Sequence, residues 1–411
     1  MDADLPEATG QDAGPVNRLQ PWRFVVWFGV VALCADVVYE GARSITGPFL
    51  AHLGASALVV GVVTGVGEAA ALLLRLVSGP LAGRTGRFWA WTLAGYALTV
   101  VSVPLLGTTG VLGVAVALVI AERVGKAVRS PAKDTLLSHA TAVTGRGRGF
   151  AVHEALDQVG ALAGPLVVAG VLAWSGGDYT PAFLVLAVPG GLTLVLAFAL
   201  RARVPDPAAY ERGTAPAPLS GAVGERGRLP GAFWGYAVFA ALTMAGFATF
   251  GVVSFHLVEA HLVATAVVPL VYAGAMVTDA VAAVATGWTY DRFGPRVLVA
   301  LPVVAAAVPA LAFSSATAMA IGGALLWGCV LGVQESTLRA TVADLVPAGR
   351  RATAYGVFGA VVGIAAAGGG ALAGGLYDVS VPLLVMVTVA VQAAALVVLL
   401  TTVARRRVNS R

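Results

Sequence analysis

Residues 287–296 read GWTYDRFGPR, and 208 positions upstream residues 79–87 read GPLAGRTGR. Each stretch sits between two long apolar runs, so a short connection bearing Gly and Arg recurs at the same place in two successive blocks of the chain. A shift nearer 205 also brings Arg146, Arg148 and Phe150 towards Arg350, Arg351 and Tyr355. The order of the landmarks is kept, so the repeat is parallel and each block is a like half.

Working outward from those connections, the 411 residues are 58% hydrophobic and only 11% charged, with a mean hydropathy of +0.86. Soluble chains are about half apolar and about a quarter charged. Apolar runs of about twenty residues, enough to cross a bilayer as a helix, recur throughout. Twelve are expected, over 23–46, 56–78, 88–107, 110–136, 149–174, 181–203, 231–255, 264–287, 296–315, 318–343, 352–376 and 380–403. The fold class is therefore an all-α membrane protein with six helices in each half. Its expected domains are a disordered tail (1–21), a first half (22–203), a Pro- and Gly-rich linker (204–230), a second half (231–403) and a basic tail (404–411). The opening residues MDADLPEATGQDAGPVN are acidic and lack the basic start of a secretory signal.

The net charge of +5 would in a soluble protein suggest nucleic acid, but the distribution points to lipid instead. With the N-terminus cytoplasmic, 19 of the 26 Lys and Arg fall in the tails or cytoplasmic connections and the other seven inside helices. That bias predicts a multi-pass protein of the inner (plasma) membrane with both termini cytoplasmic. Cys34 and Cys329 fall in predicted helices 1 and 10, and no spacing logic pairs them.

With the two connections on the page, the chain resembles the major facilitator superfamily, whose loop between helices 2 and 3 reads Gly-x-x-x-Asp-Arg/Lys-x-Gly-Arg/Lys-Arg/Lys. The second copy matches at Gly287, Asp291, Arg292, Gly294 and Arg296. The first keeps Gly79, Arg84, Gly86 and Arg87 but carries Gly83 where the acid belongs. In the family that acid pairs with helix ends and latches the inward side. The departure implies a weaker latch in the first half, or one shifted to another acid such as Asp134. GKAVRSPAKD (125–134) followed by GRGRGFAVHEALDQVGALAGP (145–165) resembles a broad prokaryotic branch of the same superfamily. Within it, Gly160, Gly164 and Pro165 match the Gly-x-x-x-Gly-Pro core of a motif associated with antiporters, although Val168 and Ala169 stand where a Gly pair is expected.

Charges inside the helices are the candidate site. Each costs roughly 2.5–3.5 kcal/mol at mid-bilayer, so each faces protein or water and needs a partner. Glu122, Lys126, Arg129 and Lys133 follow i, i+4, i+7, i+11 spacing and share one stripe of helix 4, with Arg123, Ser130 and Asp134 on the adjoining one. Pro131 is expected to kink that helix. Helix 5 offers His153, Glu154 and Asp157 at matching depth, and the expected pairs are Arg129 with Asp157 and Lys133 with Glu154. Arg43, Glu122, Arg123, Lys126 and Arg129 are the candidates for the substrate cavity. Asp36, Glu40 and Arg43 share one face of helix 1, and Asp36, Glu40, Glu68 and Asp279 are the candidates for proton coupling, since a desolvated acid can exchange protons near neutral pH. Glu335 and Arg339 are spaced to satisfy each other. GVVTG (61–65) and GAVVG (359–363) are surfaces small enough for close helix contact.

A set of His256, Glu259, His261 and His52 does not have the spacing of a His-Glu-x-x-His metal site, and no Gly-x-x-x-x-Gly-Lys-Ser/Thr loop is present. No nucleophile and base share a depth, so neither enzyme chemistry, a metal nor a cofactor is expected. The two-half plan and the resemblance predict a secondary transporter working by alternating access, a monomer taking a small-molecule substrate and protons. Proton-coupled export of a small organic or amphipathic compound is the leading expectation. Uptake of an organic anion and a non-transporting membrane sensor stay open.

Overall fold

A computed structural model describes residues 18–211, 229–347 and 350–409, and among them there is no strand. Fifteen α-helices assemble into twelve rods. The first half comprises α1 (Pro21–His52), α2 (Ala57–Leu73) continued by α3 (Arg75–Thr85), α4 (Phe88–Leu106), α5 (Leu112–Thr144), α6 (Arg146–Trp174), and α7 (Tyr179–Leu184) continued by α8 (Ala187–Arg203). The second comprises α9 (Gly231–Ala245) continued by α10 (Phe250–Glu259), α11 (Val268–Phe293), α12 (Ala300–Ala312), α13 (Thr317–Leu345), α14 (Arg351–Val379) and α15 (Val381–Asn409).

Among the described residues, ten stretches are long and apolar enough to cross a membrane. One of them, Thr265–Ala312, runs 48 residues and contains two rods, α11 and α12. The further rod is α5, whose first eighteen residues already carry Glu122, Arg123, Lys126 and Arg129 and so fail an apolar criterion.

The repeat is visible in the backbone. Gly86 and Gly294, 208 residues apart, end the helices that precede the two matching connections with φ of +65° and +63°. A side chain strains there, which is why both copies keep glycine. The expected kink at Pro131 meets an unbroken helical assignment from Leu112 to Thr144. Proline takes away the donor that the Ala127 carbonyl would use, and the Ser78 hydroxyl of α3 donates to that carbonyl at 2.8 Å.

One buried core runs from Phe233 to Leu399 in the second half, one lies around Phe28 in the first, and one around Val38 in the first half also takes in Phe255 of α10. Much of the expected tail and linker lies outside the described residues. What is described there packs: the Tyr210 hydroxyl donates to the Leu19 carbonyl at 2.7 Å, and the Trp89 indole donates to the Val204 carbonyl at 3.1 Å.

The halves meet along α2 with α14, α1 with α10 and α6 with α11, and their closest backbone approaches lie at the end remote from the chain termini. Glycine makes this possible. A Cβ on Gly61 would run into the Gly370 carbonyl, one on Gly47 into the Gly251 carbonyl, and one on Gly374 into the Ala57 carbonyl. GVVTG thus seats on the AAAGGGALAGG stretch of α14 rather than on GAVVG, where Gly359 faces open space. Across the same seam Asp378, ending α14, accepts from the Ala57 and Leu58 amides of α2 at 3.1 and 2.9 Å. The first turn of α2 is therefore capped from the opposite half.

Candidate functional site

Beneath that seal a cavity of about 270 Å³ lies between the halves. Its two walls differ in kind. The first half contributes Tyr39, Glu40 and Arg43 from α1, Glu68 and Arg75 from α2 and α3, and Arg123 and Lys126 from α5. The second half contributes Met244, Phe247 and Phe250 around the α9–α10 joint, Trp327, Leu331, Gln334 and Glu335 from α13, and Phe358 from α14.

Spacing on each helix explains the charged wall. Glu40 and Arg43 lie one turn apart on α1, and Arg123 and Lys126 one turn apart on α5, so each pair faces one direction. Glu68 stands between them. Its Oε1 lies 3.0 Å from Arg43 Nη2 and 3.1 Å from Arg123 Nη1, so one carboxylate holds two guanidinium groups. Arg123 also donates to the Tyr39 hydroxyl, and its Nε is 3.3 Å from Glu122. The Lys126 ammonium sits 3.6 Å from the centre of the Tyr39 ring and makes no ion pair among the described residues. Glu40 is buried, 3.6 Å from Arg43, and accepts a 2.5 Å hydrogen bond from Tyr272 of α11. That bond joins the halves through the cavity wall. Near the seal the Thr64 and Thr249 hydroxyls do the same at 2.7 Å.

Of the expected cavity residues, Arg43, Arg123 and Lys126 line the space, while Glu122 and Arg129 are buried behind it. Of the expected proton-exchanging acids, Glu40 and Glu68 line it, while Asp36 and Asp279 do not. Asp36 faces Arg129 at 3.6 Å, and Arg129 also lies over the Tyr96 ring, 4.8 Å from its centre. Asp279 is buried on α11 with Oδ1 lacking a hydrogen-bond partner among the described residues.

The ion pairs between α5 and α6 differ from those expected. Lys133 pairs with Asp157 at 3.7 Å, with His153 Nδ1 3.9 Å from the same carboxylate, so Arg129 does not take Asp157 and Lys133 does not take Glu154. Glu154 and Asp134 are exposed and form no ion pair among the described residues. The cause is the closeness of α1 to α6. Gly160 and Gly164 seat against the Leu33 and Val37 carbonyls, which carries Asp36 into the seam where it meets Arg129 first. With Pro165 in the same helix, these glycines have a packing role whatever their role in transport. Glu335 lines the cavity, but the Arg339 side chain lies outside the described residues.

Gly79, Arg84, Gly86 and Arg87, and Gly287, Asp291, Arg292, Gly294 and Arg296, all sit near the termini-bearing end, away from the cavity lining. Asp291 is exposed there and forms no ion pair among the described residues. The chemistry-bearing residues that sequence reading passed over are Tyr39, Tyr272, Trp327 and Gln334. Aromatic residues in apolar helices read as core, and no sequence spacing marks those that line a cavity.

Twelve rods in two like halves around a charged central cavity define the fold class of secondary transporters. The model of the Major Facilitator Superfamily matches residues 29–370 and 249–411, and the chain belongs to that family. Uncharacterized proteins of Mycobacterium tuberculosis and Mycobacterium bovis are 62% identical over 388 residues, which covers 93% of this chain and 93% of theirs. An uncharacterized MFS-type transporter of Methanocaldococcus jannaschii is 25% identical over 171 residues, 42% of this chain and 43% of that protein. Among solved structures, the nucleoside transporter NupG superposes with a TM-score of 0.70 at 12% identity, covering 93% of this chain and 98% of that one. A bacterial homolog of the human lysosomal transporter Spinster, inward-facing and occupied, gives 0.67 at 16% identity, covering 96% and 98%. A peptide transporter, POT, in complex with sulfate gives 0.69 at 15%, covering 93% and 94%. At these identities the likeness is one of fold.

Proposed function

We propose that this chain is a proton-coupled secondary transporter that carries a small amphipathic organic compound by alternating access, as a monomer in the plasma membrane with both termini cytoplasmic. The observation that carries the reading is Glu40. It is a buried carboxylate on the cavity wall, held by Arg43 of its own half and Tyr272 of the other. A proton arriving at Glu40 would weaken its attraction to Arg43 and change the bond that spans the halves, so proton binding and domain movement act on the same atoms. Glu68, tied to two arginines, is the second candidate. Sealed at the end remote from the termini, the described conformation is the one facing the cytoplasm in that orientation.

Export is supported by the match at Gly160, Gly164 and Pro165. Uptake of an organic anion together with a proton is the second reading, favoured by a lining that carries more cations than carboxylates. Vesicles loaded with a pH-sensitive dye and given a pH gradient test both. Pools of organic anions and lipophilic amphiphiles are added, and the direction of substrate-induced proton movement separates the readings. Glu40→Gln is expected to abolish the proton signal while leaving substrate exchange at equal pH; an undiminished proton signal in Glu40→Gln with Glu68→Gln would refute the coupling role.

A further inference from the structure

We propose that the cavity binds an aromatic organic anion, its charge on Lys126 and its ring against the wall formed by Phe247, Phe250 and Trp327. The proposal rests on the transporter reading only for what happens after binding.

Charge comes first. Among the described lining residues there are three carboxylates, Glu40, Glu68 and Glu335, and four cations, Arg43, Arg75, Arg123 and Lys126. Glu68 binds Arg43 and Arg123 at once, and Glu122 holds the far edge of Arg123 from behind the wall. Arg75 has a partner of its own, and Lys126 is the cation left without an ion pair among the described residues. Its ammonium rests on the Tyr39 ring face, a contact that holds the charge in place but fills none of its three N–H donors with a carboxylate oxygen. Lys126 is half-buried and borders the cavity, so an anion that enters meets a positioned, incompletely solvated donor. A cationic ligand would instead have to sit beside this ammonium and the two guanidiniums that already occupy Glu68.

The opposite wall accounts for the rest of the ligand. Phe247 and Trp327 stack at 5.6 Å with an interplanar angle of 4°, and Phe250 packs on Trp327 at 5.4 Å. The Trp327 indole donates to the Ala248 carbonyl at 2.8 Å, which fixes the ring, and with Phe247 and Phe250 packed on it the cluster borders the cavity by its ring edges. Fixed aromatic edges favour a planar ring in edge-to-face contact over a flexible chain. Gln334, on the same α13, is only 5% exposed, and its Nε2 has no hydrogen-bond partner among the described residues. A buried amide donor left open beside a cavity matches an acceptor on the ligand's body. At about 270 Å³ the space is near the lower end of ligand pockets, which suits one or two rings.

The test is a charge series on purified full-length protein, read by isothermal titration. The anions 1-naphthoate, indole-3-acetate and benzoate are compared with neutral 1-naphthamide, cationic 1-naphthylmethylammonium and the non-aromatic cyclohexanecarboxylate. Binding by at least one aromatic anion, roughly tenfold or more tighter than by its neutral and cationic counterparts, is expected. In Lys126→Gln that preference falls to nothing, while Lys126→Arg keeps most of it. Trp327→Leu brings the aromatic acid down to the level of cyclohexanecarboxylate. No binding by any aromatic anion, or equal binding by the cation, overturns the proposal, and the wild-type series decides this even if a variant fails to fold. Counterflow in vesicles separates the two readings. Anion binding without any flux leaves the site standing and defeats the transporter reading; proton-linked flux of cations alone does the reverse.

Discussion

Replacing Gly61 with Val tests the seal between the halves. The Cβ of residue 61 would meet the Gly370 carbonyl oxygen, with the carbonyl carbon 2.9 Å away and the Gly374 Cα 3.2 Å away. All three are backbone atoms, which cannot swing aside as a side-chain end could. Relief therefore requires α2 and α14 to separate. Overpacking of this kind costs about 1–3 kcal/mol. If alternating access breaks this seam, the cost falls on the sealed conformation alone, and the equilibrium moves towards the opposite opening by roughly 5- to 150-fold. The assay is a pair of spin labels at Leu58 and Val379, both exposed and at the sealed end, in a background with Cys34 and Cys329 replaced. Gly61→Val is expected to raise the population of the longer distance at least fivefold. A distance distribution unchanged from the parent, in protein that elutes as a single folded species, would refute the idea that this glycine seam is a gate.

Asp378→Ala removes the carboxylate that caps α2 from the other half. Because the contact is partly solvent-exposed, about 0.5–1 kcal/mol is expected, a two- to fivefold shift in the same direction on the same spin-label pair; a shift towards the sealed state would contradict the latch. Ser78→Ala leaves the Ala127 carbonyl opposite Pro131 without its 2.8 Å donor. A loss of about 1–2 kcal/mol is expected, seen as a lower midpoint of thermal unfolding in detergent, and an unchanged midpoint would show that the carbonyl finds another donor.

Much of the architecture was legible before any coordinates. Runs of about twenty apolar residues can only be helices in lipid, where each backbone group must be satisfied within its own segment. The matched glycines at 86 and 294 marked the repeat, and both sit at a positive φ, which glycine adopts at the least cost. The identity of the charged site was also legible in part, since a charge in an apolar helix is costly enough to mark itself. Arg43, Glu68, Arg123 and Lys126 were named that way, and they meet at one cavity.

Pairing was not legible, and the expected Arg129–Asp157 and Lys133–Glu154 contacts show why. Helical spacing fixes which residues share a face of one helix, but the partner depends on how far each neighbouring helix is rotated and raised. Gly160 and Gly164 let α1 approach α6 closely enough for Asp36 to take Arg129, leaving Asp157 to Lys133. Likewise, nothing in the order of residues says that Tyr272 reaches across to Glu40, or that Trp327 borders a cavity as well as the core. The sequence by itself determined the helices, their repeat and the presence of buried charge, because these follow from local geometry and the solvation cost of single residues. Only the tertiary structure decided which charge is neutralised by which, and that Lys126 is passed over, because Coulomb and hydrogen-bond partners are chosen by distances of a few ångströms between segments far apart in the chain.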